Sequence, residues 1–143
     1  MRDTTTRVLL IIVGVGNAAV GLWAALAPQS FYDDFPGAGR HWVAVDGPYN
    51  EHLVRDVGVL NLALAALVLA VLLRPERYFV MVAAAAELVY TAPHFLYHLA
   101  HLDLFGSGDK VALMVSLGVT VLAPIALLIR STVAPSRARV SAG

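Results

Sequence analysis

His94, His98 and His101 stand at i, i+4 and i+7, so on a helix they share one face. Glu87 lies seven residues before His94 and points the same way, with Tyr90 and Thr91 between them. A second polar pair, His52 and Asp56, has the same i, i+4 spacing on another segment. Imidazoles and a carboxylate brought together from two helices are the donors that a metal ion takes. The chain has no cysteine, which removes thiolate sites, disulfides and iron–sulfur clusters and leaves zinc, copper(II) or non-haem iron. On that reading His52, Asp56, His94, His98 and His101 are the metal ligands. The same residues also permit acid–base chemistry. Glu87 and His94, two helical turns or roughly 10 Å apart, can stand on either side of a flat substrate as proton donor and acceptor. Asn17, Asn61 and Tyr90 would then hold the bound group.

The elements that carry these residues are membrane helices. The chain of 143 residues is 59% hydrophobic and only 14% charged, whereas a soluble domain has about 25% charged residues. That composition excludes disorder and an ordinary soluble domain. Ten basic and ten acidic residues cancel, so nothing marks a nucleic-acid surface. A spanning helix needs about 20 mostly apolar residues. Four segments meet this, at about 8–27, 50–73, 78–101 and 110–129. The second is purely apolar only from Val57 and gains its length by starting just after Pro48. The expected fold is therefore all-α: an integral membrane four-helix bundle over residues 1–130, followed by a disordered cytoplasmic tail at 131–143.

Orientation follows from the positive residues. Arg2, Arg7, Arg74, Arg77, Arg130, Arg137 and Arg139 fall on one side, against Arg40, Arg55 and Lys110 on the other. Both termini are expected in the cytoplasm, with a plasma-membrane location. The connections at 28–49 and 103–109 then face outward. The competing reading of residues 8–27 is a cleaved signal peptide, because Ala25-Leu26-Ala27 resembles a cleavage site. The apolar run is longer than the 7–15 residues usual for such a peptide.

Depths along the helices show what could meet. Glu87 lies roughly 14 Å along the third span, near the bilayer middle, and Asn17 and Thr120 come out at the same height. His94 and His98 lie at about 24 and 30 Å, level with Asp56 and His52. An unpaired carboxylate at the depth of Glu87 costs too much, so a protonated acid, or a bond to Asn17 or water, is expected there. The pattern predicts a pocket open to the outside and floored by Glu87. Phe31-Tyr32-Asp33-Asp34-Phe35-Pro36-Gly37 would form a short amphipathic lid over it. Arg55 is expected to pair with Glu51, Asp56 or Asp103, and Gly14, Gly16, Ala18 and Gly21 to let the first helix pack closely.

Three functions remain open on these residues. One is a metal or redox-cofactor site in the outer leaflet. The second is a pocket for an amphipathic molecule such as a quinone, sterol or polyprenyl lipid, with isomerase chemistry available to Glu87 and His94. The third is an accessory subunit of a larger membrane redox complex or a homo-oligomer. Each has a plain counterpart: histidines that bond water or headgroups at the interface, or a Glu87 that only locks helices together. Haem ligation by a histidine pair is a further use, although no haem attachment motif is present.

The four spans and the polar entry to the second, Gly47-Pro48-Tyr49-Asn50-Glu51-His52-Leu53-Val54-Arg55-Asp56, resemble the small DoxX-like membrane proteins over residues 8–129. That resemblance implies a four-span bundle and an association with quinone-linked sulfur oxidation or redox stress. The stretch Pro93-His94-Phe95-Leu96-Tyr97-His98-Leu99-Ala100-His101-Leu102-Asp103 is not part of the resemblance. In plan the chain is also similar to the membrane bundle that isomerises sterols, with its intramembrane Glu and His.

Overall fold

The computed structural model describes residues 3–133. Helix α1 runs Thr4–Leu26, α3 Glu51–Leu73, α4 Arg77–Ala100 and α5 Ser107–Val133. All four are long and apolar enough to cross a membrane. The shortest of them, 23 residues, reaches about 34 Å, just over the roughly 30 Å of bilayer hydrocarbon. The α4 helix is the least apolar, because it carries the polar stripe. A short helix α2, Pro28–Asp34, and a two-stranded hairpin, β1 Pro36–Gly37 and β2 Arg40–His41, fill the connection between α1 and α3.

Local chemistry sets the helix ends. The Asp3 side chain accepts from the Thr6 backbone N–H, satisfying a donor that the first turn of α1 leaves free. Asn50 does the same for the Leu53 N–H at the start of α3. Pro28 sits at the start of α2, where its missing N–H costs nothing. Three of the expected spans match α1, α3 and α4 to within a few residues. The α5 helix is longer than expected, extending through Ser131 to Val133 into the segment expected as a tail. Ser131 is fully buried, and its hydroxyl donates to the Leu127 carbonyl one turn back. Residues 134–143 of that expected tail lie outside the described residues.

The helices pack as two pairs, α1 with α3 and α4 with α5, joined through α1–α5 and α3–α4 seams. The α1–α3 pair is tight because glycines meet there. A Cβ on Gly58 would stand 2.5 Å from the Ala25 nitrogen, and one on Gly21 would stand 2.9 Å from the Leu62 nitrogen. Gly16, in contrast, faces open space. Around the end of the bundle where α1 begins and α5 ends, Leu10, Val13, Val68, Val71, Val80, Ala83, Ala84, Ala123 and Leu127 form an apolar core. Arg130 closes that end by reaching Asp3 at 2.6 Å. The opposite half holds the polar stripe of α4 beyond Glu87, and two aromatic clusters cap it. One groups Trp42 and Phe105 with Leu113 and Leu117; the other groups Phe31 with Ala24 and Val54.

Candidate functional site

The polar stripe of α4 faces inward for most of its length. Glu87, Thr91 and His98 are buried, His94 is half-buried and His101 is exposed. The cause is helical period: Val80, Ala84, Glu87 and Thr91 recur at three- and four-residue steps, and His98 follows seven residues later, on the face that meets the other helices.

Glu87 is 2% exposed, and its Oε1 accepts from Asn17 Nδ2 at 2.7 Å. Because α1 and α4 belong to different pairs and share no seam, this bond crosses the bundle on its diagonal. The other Glu87 oxygen receives no hydrogen bond from any described residue. Thr91 Oγ1 donates to the Glu87 carbonyl at 2.9 Å, so the hydroxyl is spent on its own helix. One turn outward, Asn61 Nδ2 on α3 donates to the Val57 carbonyl at 2.8 Å and to the Tyr90 hydroxyl at 3.3 Å. The expected meeting of Asn17 with Glu87, and the inward place of Asn61 and Tyr90, are both found.

Beyond Tyr90 the stripe becomes a stack of rings. His94 lies flat on Tyr90, with centroids 5.6 Å apart and planes 13° apart. His98 meets His94 edge-on at 4.7 Å. Phe105 closes the far side of His98 at 6.1 Å. His98 Nδ1 is buried and has no hydrogen-bond partner among the described residues. A buried polar atom without a partner costs free energy, so this atom marks a place where a bound group would be favoured.

The five residues read as metal ligands are not brought together. His52 and Asp56 bond each other at 3.3 Å, but their side chains are 87% and 57% exposed. The face of α3 that packs inward carries Val54, Gly58, Asn61 and Leu64, and a 3.6-residue period puts His52 and Asp56 on the opposite side. His101 turns outward, with Nδ1 against the Tyr97 carbonyl at 2.8 Å and its ring stacked on Tyr97. Within the buried stripe His94 and His98 are neighbours. Among the described residues no group of three or more His, Asp or Glu side chains is placed to hold a metal ion. Thr120 does not join the Glu87 layer either; it is exposed and donates to the Leu117 carbonyl. Arg55 pairs with Glu51 at 2.9 Å, as expected, and also donates to the Ala25 carbonyl, tying α3 to α1.

Two anchors were not legible in sequence. Asp109, in the first turn of α5, accepts at one oxygen from Arg40 at 2.9 Å and from Trp42 Nε1 at 3.0 Å. Asp46 accepts from the Tyr97 hydroxyl at 3.0 Å. These partners are 51 to 69 residues apart, and no local spacing connects them.

Comparison with protein-family models, with curated proteins and with solved structures gives no match to this chain.

Proposed function

We propose that this membrane bundle binds an amphipathic molecule with a hydrogen-bonding headgroup, of the quinone, sterol or polyprenyl class. The observation that carries this is the buried stripe on α4, where Glu87 is held by Asn17 through one oxygen and His98 Nδ1 is buried without a partner among the described residues. A headgroup in the α3–α4 seam would have Asn61, Tyr90 and His94 beside it, while its tail stays in lipid. A ring can lie on the Tyr90–His94 stack, and oxygens on the ring can bond to Glu87 or His98. Glu87 and His94 are the groups able to give and take a proton there. The metal reading ranks lower because its ligands divide between two faces.

The same proposal places both termini in the cytoplasm of a plasma-membrane protein, on the excess of arginine at that end. A reporter at the C-terminus should then read as cytoplasmic; the opposite result inverts the site.

The test is extraction of small molecules from protein purified gently without chelator, followed by mass spectrometry and elemental analysis. One amphipathic compound near stoichiometry, depleted in His94→Ala and in Glu87→Leu, is expected. Glu87→Gln, which can keep the Asn17 bond, separates loss of the ligand from loss of the fold. Stoichiometric metal that disappears in the His94→Ala, His98→Ala double variant, with no organic compound, would overturn the proposal.

A further inference from the structure

The α2–α3 connection covers the outer end of the polar stripe. Trp42, 7% exposed, packs with Phe105, Leu113 and Leu117, and Phe105 in turn lies against His98. Three polar tethers hold this segment down. Arg40 and Trp42 both donate to Asp109, the Arg40 guanidinium lies 5.7 Å from the Trp42 ring centroid, and Asp46 receives the Tyr97 hydroxyl. The remaining bonds of the segment, Tyr32 to the Gly47 carbonyl and His41 to the Asp33 carbonyl, stay within the connection itself. At the other end of the bundle an apolar core that includes Leu10, Val80, Ala83, Ala84 and Leu127 is packed between the helices.

We infer that residues 36–49 are a lid over His98, latched on Asp109, and that the buried stripe is reached from the loop end when this latch opens. The tethers suit a latch. Arg40 and Asp109 are each more than a third exposed, and such ion pairs hold weakly against water. Trp42 supplies the apolar plug, so opening at the Asp109 end frees Trp42 from Phe105, Leu113 and Leu117 and breaks a few surface bonds, while Val43 and Tyr49 keep the segment anchored on Ala24, Phe31 and Val54. In the closed state His98 Nδ1 is sealed from solvent; in the open state it is the first buried polar atom that an entering group meets. The lid's role in admitting a ligand rests on the binding proposal above, whereas the lid itself does not.

The experiment measures modification of individual histidines by diethyl pyrocarbonate in the full chain reconstituted in nanodiscs, read by peptide mass spectrometry. His52, with its side chain 87% exposed, is the internal standard. In the wild type His98 should react far more slowly than His52. In Asp109→Ala the His98 rate should rise about fivefold, the gain in open fraction expected on losing one exposed ion pair, with His52 unchanged. Asp109→Asn, which keeps an acceptor for Trp42, should fall between them and serves if the alanine variant does not fold. Hydrogen exchange at residues 36–49 should rise in parallel. The inference is overturned if wild-type His98 reacts as fast as His52. It is also overturned if the His98 rate stays at its wild-type value in both Asp109 variants. The absence of any co-purified molecule would leave these rates untouched, so failure of the binding proposal is read separately.

Discussion

Asn17 and Glu87 can be tested as a coupled pair. The perturbation is a double-mutant cycle with Asn17→Ala, Glu87→Met and the two combined. Asn17 is 8% exposed and Glu87 2%, so neither finds water when its partner is removed. Each single variant leaves one buried polar group without its 2.7 Å bond, a loss of about 1–3 kcal/mol. The double variant removes both groups and with them the unpaired state. It should therefore cost less than the sum of the singles. Hydrogen bonds between membrane helices give coupling of about 0.6 kcal/mol on average and about 1.7 at most. This bond lies at the bundle axis and should fall in the upper half of that range. The assay is equilibrium unfolding in mixed micelles, or steric trapping in bicelles, on all four proteins. Additivity within about 0.3 kcal/mol would refute the reasoning, because that is the behaviour of independent sites.

Two further predictions concern the frame around the site. Gly58→Ala must separate α1 from α3, since its Cβ would meet backbone at 2.5 Å; a loss of about 1–3 kcal/mol is expected by the same unfolding assay. Gly16→Ala, facing open space in the same pair of helices, should be neutral or stabilising by up to about 1 kcal/mol. At the terminal end, Asp3 is held down at about 2 by the Thr6 backbone N–H and hydroxyl and by Arg130, below its ordinary 3.8. The folded value lies under the unfolded one, so the contribution of Asp3 is fully present above about pH 4 and lost as pH falls towards 2. Unfolding measured across that window should show a shallower acid loss in Asp3→Ala, together with about 1 kcal/mol lower stability at neutral pH from the missing cap.

The spans were legible because hydropathy and length act locally. The inward face of α4 was legible for the same reason: Glu87, Thr91 and His98 follow its period. The Asn17–Glu87 bond could be read from depth alone, since two polar groups at one height in a narrow bundle have few other partners. Depth failed for His52 and Asp56. Their heights match His98 and His94, yet rotation about α3 turns them outward. That rotation is fixed by Gly58 and Gly21, whose close approach sets the face α3 shows to α1. Thr120 failed similarly, because a hydroxyl can satisfy itself on its own helix. The latch on Asp109 needed the tertiary fold, because Arg40 and Trp42 reach it only once the hairpin has folded back over α5.

The proposed headgroup lies beside α4 between Glu87 and His98. The most direct measurement is photocrosslinking with a short-chain quinone carrying a diazirine on the ring, mapped by peptide mass spectrometry, with unlabelled quinone as competitor. Competed labels are expected to concentrate on residues 87–98 and on Asn61, and to be reduced in His94→Ala. Labels spread over the lipid-facing surfaces of all four helices and untouched by competitor would contradict it.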